Sequence, residues 1–301
     1  MSKSQRHTVP ILLLAGVALI WGSTFSLMKN TMVRTNVNSF LSWRFIAAAL
    51  LMAIIRPKAF KEINRDFLLR GVAIGALLGS GYLFQTYGLT MTTVAKTGFI
   101  TGLYSVFVPL VAAGIFHDRV TKAQWFAVSL AAIGLGFLSL NGFRIGFGEF
   151  LVLISAVFFA FHIVALSHWS PGRDAYALTM IQMATCGVLS LLFSVKNGIQ
   201  LPPDHGVWIA IMYSAIFASA IAFIVQTWTQ SFMSATTVGV ILTLEYIFAA
   251  IFGVLFSHEH LTWRTLVGGT FVMAGLYLIV LIEGRDGQDG RKVLDQDTVL
   301  T

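Results

Sequence analysis

The stretch "QTWTQSFMSATTVGVI", Gln226–Ile241, repeats "QTYGLTMTTVAKTGFI", Gln85–Ile100, at a distance of 141 residues. The same spacing carries Gly98 onto Gly239, Phe107 onto Phe248, Asp118 onto Glu259, Thr121 onto Thr262 and Gly134 onto Gly275. Further upstream the match loosens. "ALIWGSTF" from Ala18 lies over "SAVFFAFH" from Ser155, at a distance of 137 residues. The chain therefore reads as two related halves.

The surroundings of this stretch say what the halves are made of. Gly206–Leu244 runs 39 residues without a charge. One helix across a bilayer needs about 20 residues, so this run has to turn back, and "QSFMSATT", Gln230–Thr237, is the place for it. Other long apolar runs are Val9–Met28, Gly71–Ala95, Thr97–Phe116, Ala123–Phe143, Ala175–Val195 and Thr265–Ile282. The 301 residues are 56% hydrophobic and 11% charged, with a mean hydropathy of +0.80. A soluble domain could not cover its surface with so few charges. The expected fold is an all-α membrane protein, since hydrocarbon leaves only helices or closed barrels and these runs lack strand alternation.

Ten spans are expected: 10–29, 38–55, 69–88, 92–116, 123–141, 147–168, 175–195, 206–229, 235–257 and 263–282. Residues 1–143 would hold spans one to five, and 144–283 spans six to ten. Five is odd, so the second half enters from the opposite side, giving two inverted five-helix repeats. Secondary transporters are built this way, with a site near the midplane between the repeats. "RPKAFKEINRDFLLR", Arg56–Arg70, suggests a helix lying on the membrane surface. Residues 284–301, polar and Gly-rich, read as a disordered cytoplasmic tail.

Lys and Arg set the orientation. With both termini in the cytoplasm, thirteen lie inside: Lys3 and Arg6, five between Arg56 and Arg70, Arg119 and Lys122, Arg173, and Arg285, Arg291 and Lys292. Six lie outside: Lys29, Arg34, Lys96, Arg144, Lys196 and Arg264. The net charge of +7 is thus a topology signal for a multi-pass protein of the inner membrane. Its scatter over loops gives no footprint for nucleic acid.

Three stretches resemble EamA-type transporters of the drug/metabolite transporter superfamily: "LIWGSTFSLMK" from Leu19, "SVFVPLVAAGIFHDRVT" from Ser105 and "LTLEYIFAAIFGVLFSHEHLT" from Leu242. Tyr246 stands where that family usually has Pro, and Asp118 and His258 depart from its Gly-Glu turn. The resemblance spans about 8–283 and implies transport of a small organic solute such as an amino acid, another metabolite or a drug-like compound, commonly its export. It names no substrate.

Glu245 is the sharpest site residue. A charge at the centre of a span costs about 2.5–3.5 kcal/mol on insertion scales, so it should face a cavity or a partner. It would bind a cationic group of the solute or take up a proton during turnover; the alternative is a neutral acid tying helices together. Trp21, Tyr82, Tyr104 and Trp228 are the aromatic candidates for a cavity wall, where ring faces suit organic and cationic solutes. Gln85 and Gln226, matched by the repeat, are buried amides that need partners, either solute or another helix. His162 stands alone on span six as a candidate proton relay, with a buried structural histidine as the plainer alternative. Arg44, near the outer end of span two, is expected to be structural and able to snorkel. Pro109 should bend span four, and Gly98 and Gly102, like Gly71, Gly75 and Gly79, should let helices approach.

No cofactor or metal is expected. "HEH" at His258–His260 lacks the His-Glu-x-x-His spacing of a zinc hydrolase, and there is no Walker A sequence for ATP. An uncoupled channel or facilitator is the alternative to a transporter, although no filter-like run is present. An intramembrane enzyme would need a constellation of catalytic groups that the sequence does not offer. Oligomeric state is open.

Overall fold

A computed structural model describes residues 5–139, 146–195 and 198–257, with nine further positions between Trp263 and Leu278. It is a bundle of helices: α1 Gln5–Thr31, α2 Val37–Ile55, α3 Arg65–Met91, α4 Val94–Thr101, α5 Tyr104–Ile115, α6 Lys122–Ser139, α7 Phe147–Trp169, α8 Ala175–Ser194, α9 His205–Tyr213, α10 Ala222–Gln230, α11 Ala235–Leu242 and α12 Leu244–Ser257. A π-helical segment, Ser214–Ile221, joins α9 to α10. Among the described residues, eight helices are long and apolar enough to cross a membrane. Four are α1, α2, α3 and α7; the others are α8, α4 with α5, α9 with α10, and α11 with α12. The chain is a multi-span α-helical membrane bundle. The expected fifth span falls on α6, which is not one of these eight. Most of the expected tenth span, residue 259 and the C-terminal tail lie outside the described residues.

The long charge-free run turns where expected, between Gln230 and Ala235, with Ser234 capping α11 through the Thr237 N–H. The equivalent residue 141 positions earlier, Thr93, caps α4 through the Lys96 N–H. Both spans then tighten at the same place. The Ser105 N–H donates to the Gly102 carbonyl at 3.0 Å, and its counterpart, the Tyr246 N–H, donates to the Thr243 carbonyl at 3.1 Å. These are i→i+3 bonds, and they mark a short 3₁₀-like tightening inside each span. Span four is thus interrupted at Gly102–Leu103, and Pro109 lies buried within α5.

One expectation changes here. Arg56–Arg70 is not one surface helix: Pro57–Glu62 is a short 3₁₀ turn, and α3 starts at Arg65 with Asn64 capping it through the Phe67 N–H. That cap fixes the start of the spanning helix inside the stretch the sequence suggested was a surface helix.

Glycines set the close packing. A Cβ on Gly75 would come within 2.7 Å of the Thr185 Cβ and 3.0 Å of the Gln182 Cα, so α3 and α8 touch along Gly71, Gly75 and Gly79. Gly98 faces the Ala249 Cβ at 3.2 Å, and Gly239 faces the Val108 Cγ2 at 3.6 Å. The second contact is the first with each residue moved by 141 positions and the halves exchanged.

Candidate functional site

The helices meet around a central cavity of about 40 Å³, room for only a few waters. Its wall is built in matched pairs. Tyr82 and Phe223, Gln85 and Gln226, Thr101 and Leu242, and Tyr104 and Glu245 all line it, and each pair is separated by the 141-residue repeat. Phe25 and His162, related by the 137-residue offset, line it as well. The cavity therefore takes equivalent positions from both halves of the chain.

Glu245 reaches this wall because the turn at Thr243 ends α11 and places the acid in the first turn of α12. The N-terminal end of a helix favours a negative charge. Glu245 is 6% exposed, and among the described residues no hydrogen bond or ion pair reaches its carboxylate. Its counterpart Tyr104 packs edge-on to Tyr246, with ring centroids 6.0 Å apart, and among the described residues neither hydroxyl meets a partner of hydrogen-bonding geometry.

The other polar wall groups are partly engaged. Gln85 Nε2 donates to Thr101 Oγ1 at 3.0 Å. Gln226 Nε2 donates to Gln230 Oε1 at 2.8 Å, and among the described residues the Gln226 Oε1 has no partner. His162 Nε2 lies 3.0 Å from Gln182 Oε1, while Gln182 Nε2 donates to the Leu178 carbonyl; with that amide orientation His162 is the donor. Trp21 lies on Phe223, with centroids 5.0 Å apart, and its Nε1 donates to the Ala218 carbonyl at 2.8 Å. Its indole N–H is spent, so Trp21 offers the cavity a ring face. Among the described residues, the wall groups still able to meet a solute include the Glu245 carboxylate, the Gln226 side-chain oxygen, and the Tyr82 and Tyr104 hydroxyls.

Two sequence expectations are corrected. Trp228 is not brought to the cavity. It is 42% exposed and packs against Phe232, because α10 turns this position outward while presenting Phe223 and Gln226 inward. Arg44 does not snorkel. Its exposure is 0%, and its guanidinium is held inside the bundle by Ser219 Oγ at 2.8 Å. Phe223, Thr101 and Leu242 were missed. Applying the 141-residue offset to Tyr82 and comparing the two turns would have found them.

The sequence matches the model of the EamA-like transporter family over residues 8–140 and again over 146–281. The chain belongs to this family. An uncharacterized transporter of Archaeoglobus fulgidus is 33% identical over 270 residues, covering 89% of this chain and 84% of the relative. A WAT1-related chloroplastic protein of Arabidopsis thaliana, At3g02690, is 27% identical, covering 88% of this chain and 68% of its own length. A crystal structure at 17% identity superposes with a TM-score of 0.73 over 93% of this chain and 99% of its own, a likeness of fold alone. This EamA-family chain is a membrane transporter of small molecules in the drug/metabolite superfamily.

Proposed function

We propose that the chain is a secondary transporter whose two halves, 1–143 and 144–283, are inverted five-helix repeats rocking about the central cavity. Glu245 is its coupling or substrate-binding acid, and His162, Gln85, Gln226, Trp21, Tyr82 and Tyr104 complete the site. The observation that carries this is the cavity wall: equivalent residues from both halves, with one unpartnered carboxylate among them. Paired caps, paired 3₁₀ turns and exchanged glycine contacts support the repeat. A volume of about 40 Å³ is too small for an organic solute, which supports a contracted conformation that must widen on one side to admit cargo. The solute is a small organic compound, exported across the inner membrane, with protons as the coupling ion and both termini cytoplasmic.

Counterflow in proteoliposomes tests the transporter reading. Saturable exchange, with preloaded solute speeding uptake of labelled solute, is expected; linear, unsaturable flux points to a channel instead. Reporter fusions at residues 5 and 290 should both read cytoplasmic, and an external signal from either one removes the ten-span topology.

A further inference from the structure

Behind the Tyr82 wall of the cavity lies a second charge, and among the described residues it has no counter-ion. Arg44 sits seven residues into α2, roughly 10 Å along the helix, at 0% exposure. A guanidinium carries five N–H donors. Here Nε donates to Ser219 Oγ at 2.8 Å. Nη2 is shared between Tyr82 Oη at 3.3 Å and the Ala218 carbonyl at 3.4 Å. That carbonyl already accepts the shorter bond from Trp21. Nη1 meets only the Met28 thioether, at 3.6 Å. Among the described residues no carboxylate lies within ion-pair distance. The guanidinium is instead stacked against the rings of Phe45 at 5.0 Å and Tyr82 at 4.6 Å.

A buried charge left this way is expensive unless it has a use. The segment that holds it points the same way. Ser219 and Ala218 belong to the π-helical stretch of the eighth span, and π-turns concentrate at functional sites. Tyr82 accepts from Arg44, and among the described residues its own O–H meets no acceptor, so that proton is free to be donated. The phenol also lines the cavity. A hydroxyl that accepts from a cation becomes a stronger donor itself.

We propose that Tyr82, polarised by Arg44, is the anion-binding side of the central cavity, so that the transported solute carries a carboxylate or comparable oxyanion. Arg44 is a positioning residue: it acts through the Tyr82 hydroxyl and the field it sets in a low-dielectric site. Glu245 and the Gln226 oxygen form the opposite, acceptor-rich side. The inference rests on the proposed function only in taking this cavity as the solute site.

The test uses three probes with one ring and different charge: benzoate, benzyl alcohol and benzylamine. Their binding to the purified full-length protein is read from thermal stabilisation. Benzoate is expected to bind about tenfold or more tightly than benzyl alcohol, the range of one charge-assisted hydrogen bond. Tyr82→Phe keeps the ring on Arg44 and removes the hydroxyl; Arg44→Gln removes the charge. Both should bring benzoate down to the level of benzyl alcohol, and a purely structural arginine would lower stability without altering that ratio. Absence of a benzoate preference in the unaltered protein overturns the proposal. So does a preference that survives Tyr82→Phe. Coupling is read from transport in Glu245→Gln and anion recognition from benzoate binding in Tyr82→Phe and Arg44→Gln, so the two claims fail separately.

Discussion

Charge is handled in opposite ways at the ends of this bundle and at its centre. At one end Arg34 meets Asp204 at 2.8 Å and Lys96 meets Glu149 at 3.1 Å. At the other, Arg56 meets Asp174 at 2.9 Å and Arg173 meets Asp66 at 2.8 Å. These pairs are half-exposed, where an ion pair contributes about 0–1 kcal/mol. In the centre Glu245 and Arg44 are far more deeply buried, and neither has a charged partner among the described residues. The lesson is that the ends use charge to fasten helices, whereas the centre keeps charge available.

The largest effect should come from the central acid. Glu245→Gln preserves shape and hydrogen bonding but removes the charge, and it should abolish proton-driven accumulation and flatten the pH dependence of any remaining exchange. Wild-type rates with a wild-type pH profile would make Glu245 a helix tie and dissolve the contrast. Next in size is a packing change. Gly75→Leu drives a side chain into the α8 backbone, and overpacking of this kind costs about 1–3 kcal/mol. Gly16, with nothing within 4 Å of a built Cβ, should accept Ala with no loss. Thermal unfolding of both variants in detergent checks this, and equal damage would mean the α3–α8 seam is looser than described.

Ring removal comes third. Trp21→Ala and Tyr104→Ala should weaken solute affinity by a few-fold to some thirtyfold, from about 0.5–2 kcal/mol per aromatic contact to a cationic group. Trp228→Ala should leave affinity unchanged, and a matching loss there would place the site elsewhere. The smallest effect belongs to the ends. Burial pushes the Asp174 carboxyl up, but the Ala177 N–H and Arg56 outweigh it and hold the carboxyl below its ordinary range. A depressed carboxylate adds stability that is present above about pH 4 and lost as pH falls through its folded value. Asp174→Ala removes this together with the α8 cap, for a loss of about 1 kcal/mol at neutral pH. The two unfolding curves should converge in acid; a gap that persists there would show that the cap and pair do not titrate as described.

The same contrast explains what could be read in advance. The turn between Gln230 and Ala235, the packing role of Gly75, and Glu245 as a cavity acid all follow from local facts: a charge-free run too long for one span, glycines four apart, and an acid in oil. Trp228 and Arg44 depend on which way a helix is rotated, and the spans are apolar on nearly every face. Periodicity then gives no inward direction. Arg44 looked close enough to the outer end of its span to reach water. Only the contacts from α3 and the π-helical segment, both distant in sequence, decide that its head turns inward. The internal repeat held unused information on this point, because Tyr104 is the exact counterpart of Glu245 and Phe223 that of Tyr82.

The lone thiol of the chain gives an experimental handle. Cys186 is fully buried, with its Sγ against the Gly75 carbonyl at 3.3 Å, deep in the α3–α8 seam. Folded protein should therefore be silent to a polar maleimide. A cysteine placed at Thr24 or Thr101 on the cavity wall would then be the sole reactive group, with no need to remove the native one. Labelling it from one face of the membrane and then the other would report which side the cavity opens to, and whether a given solute changes that side.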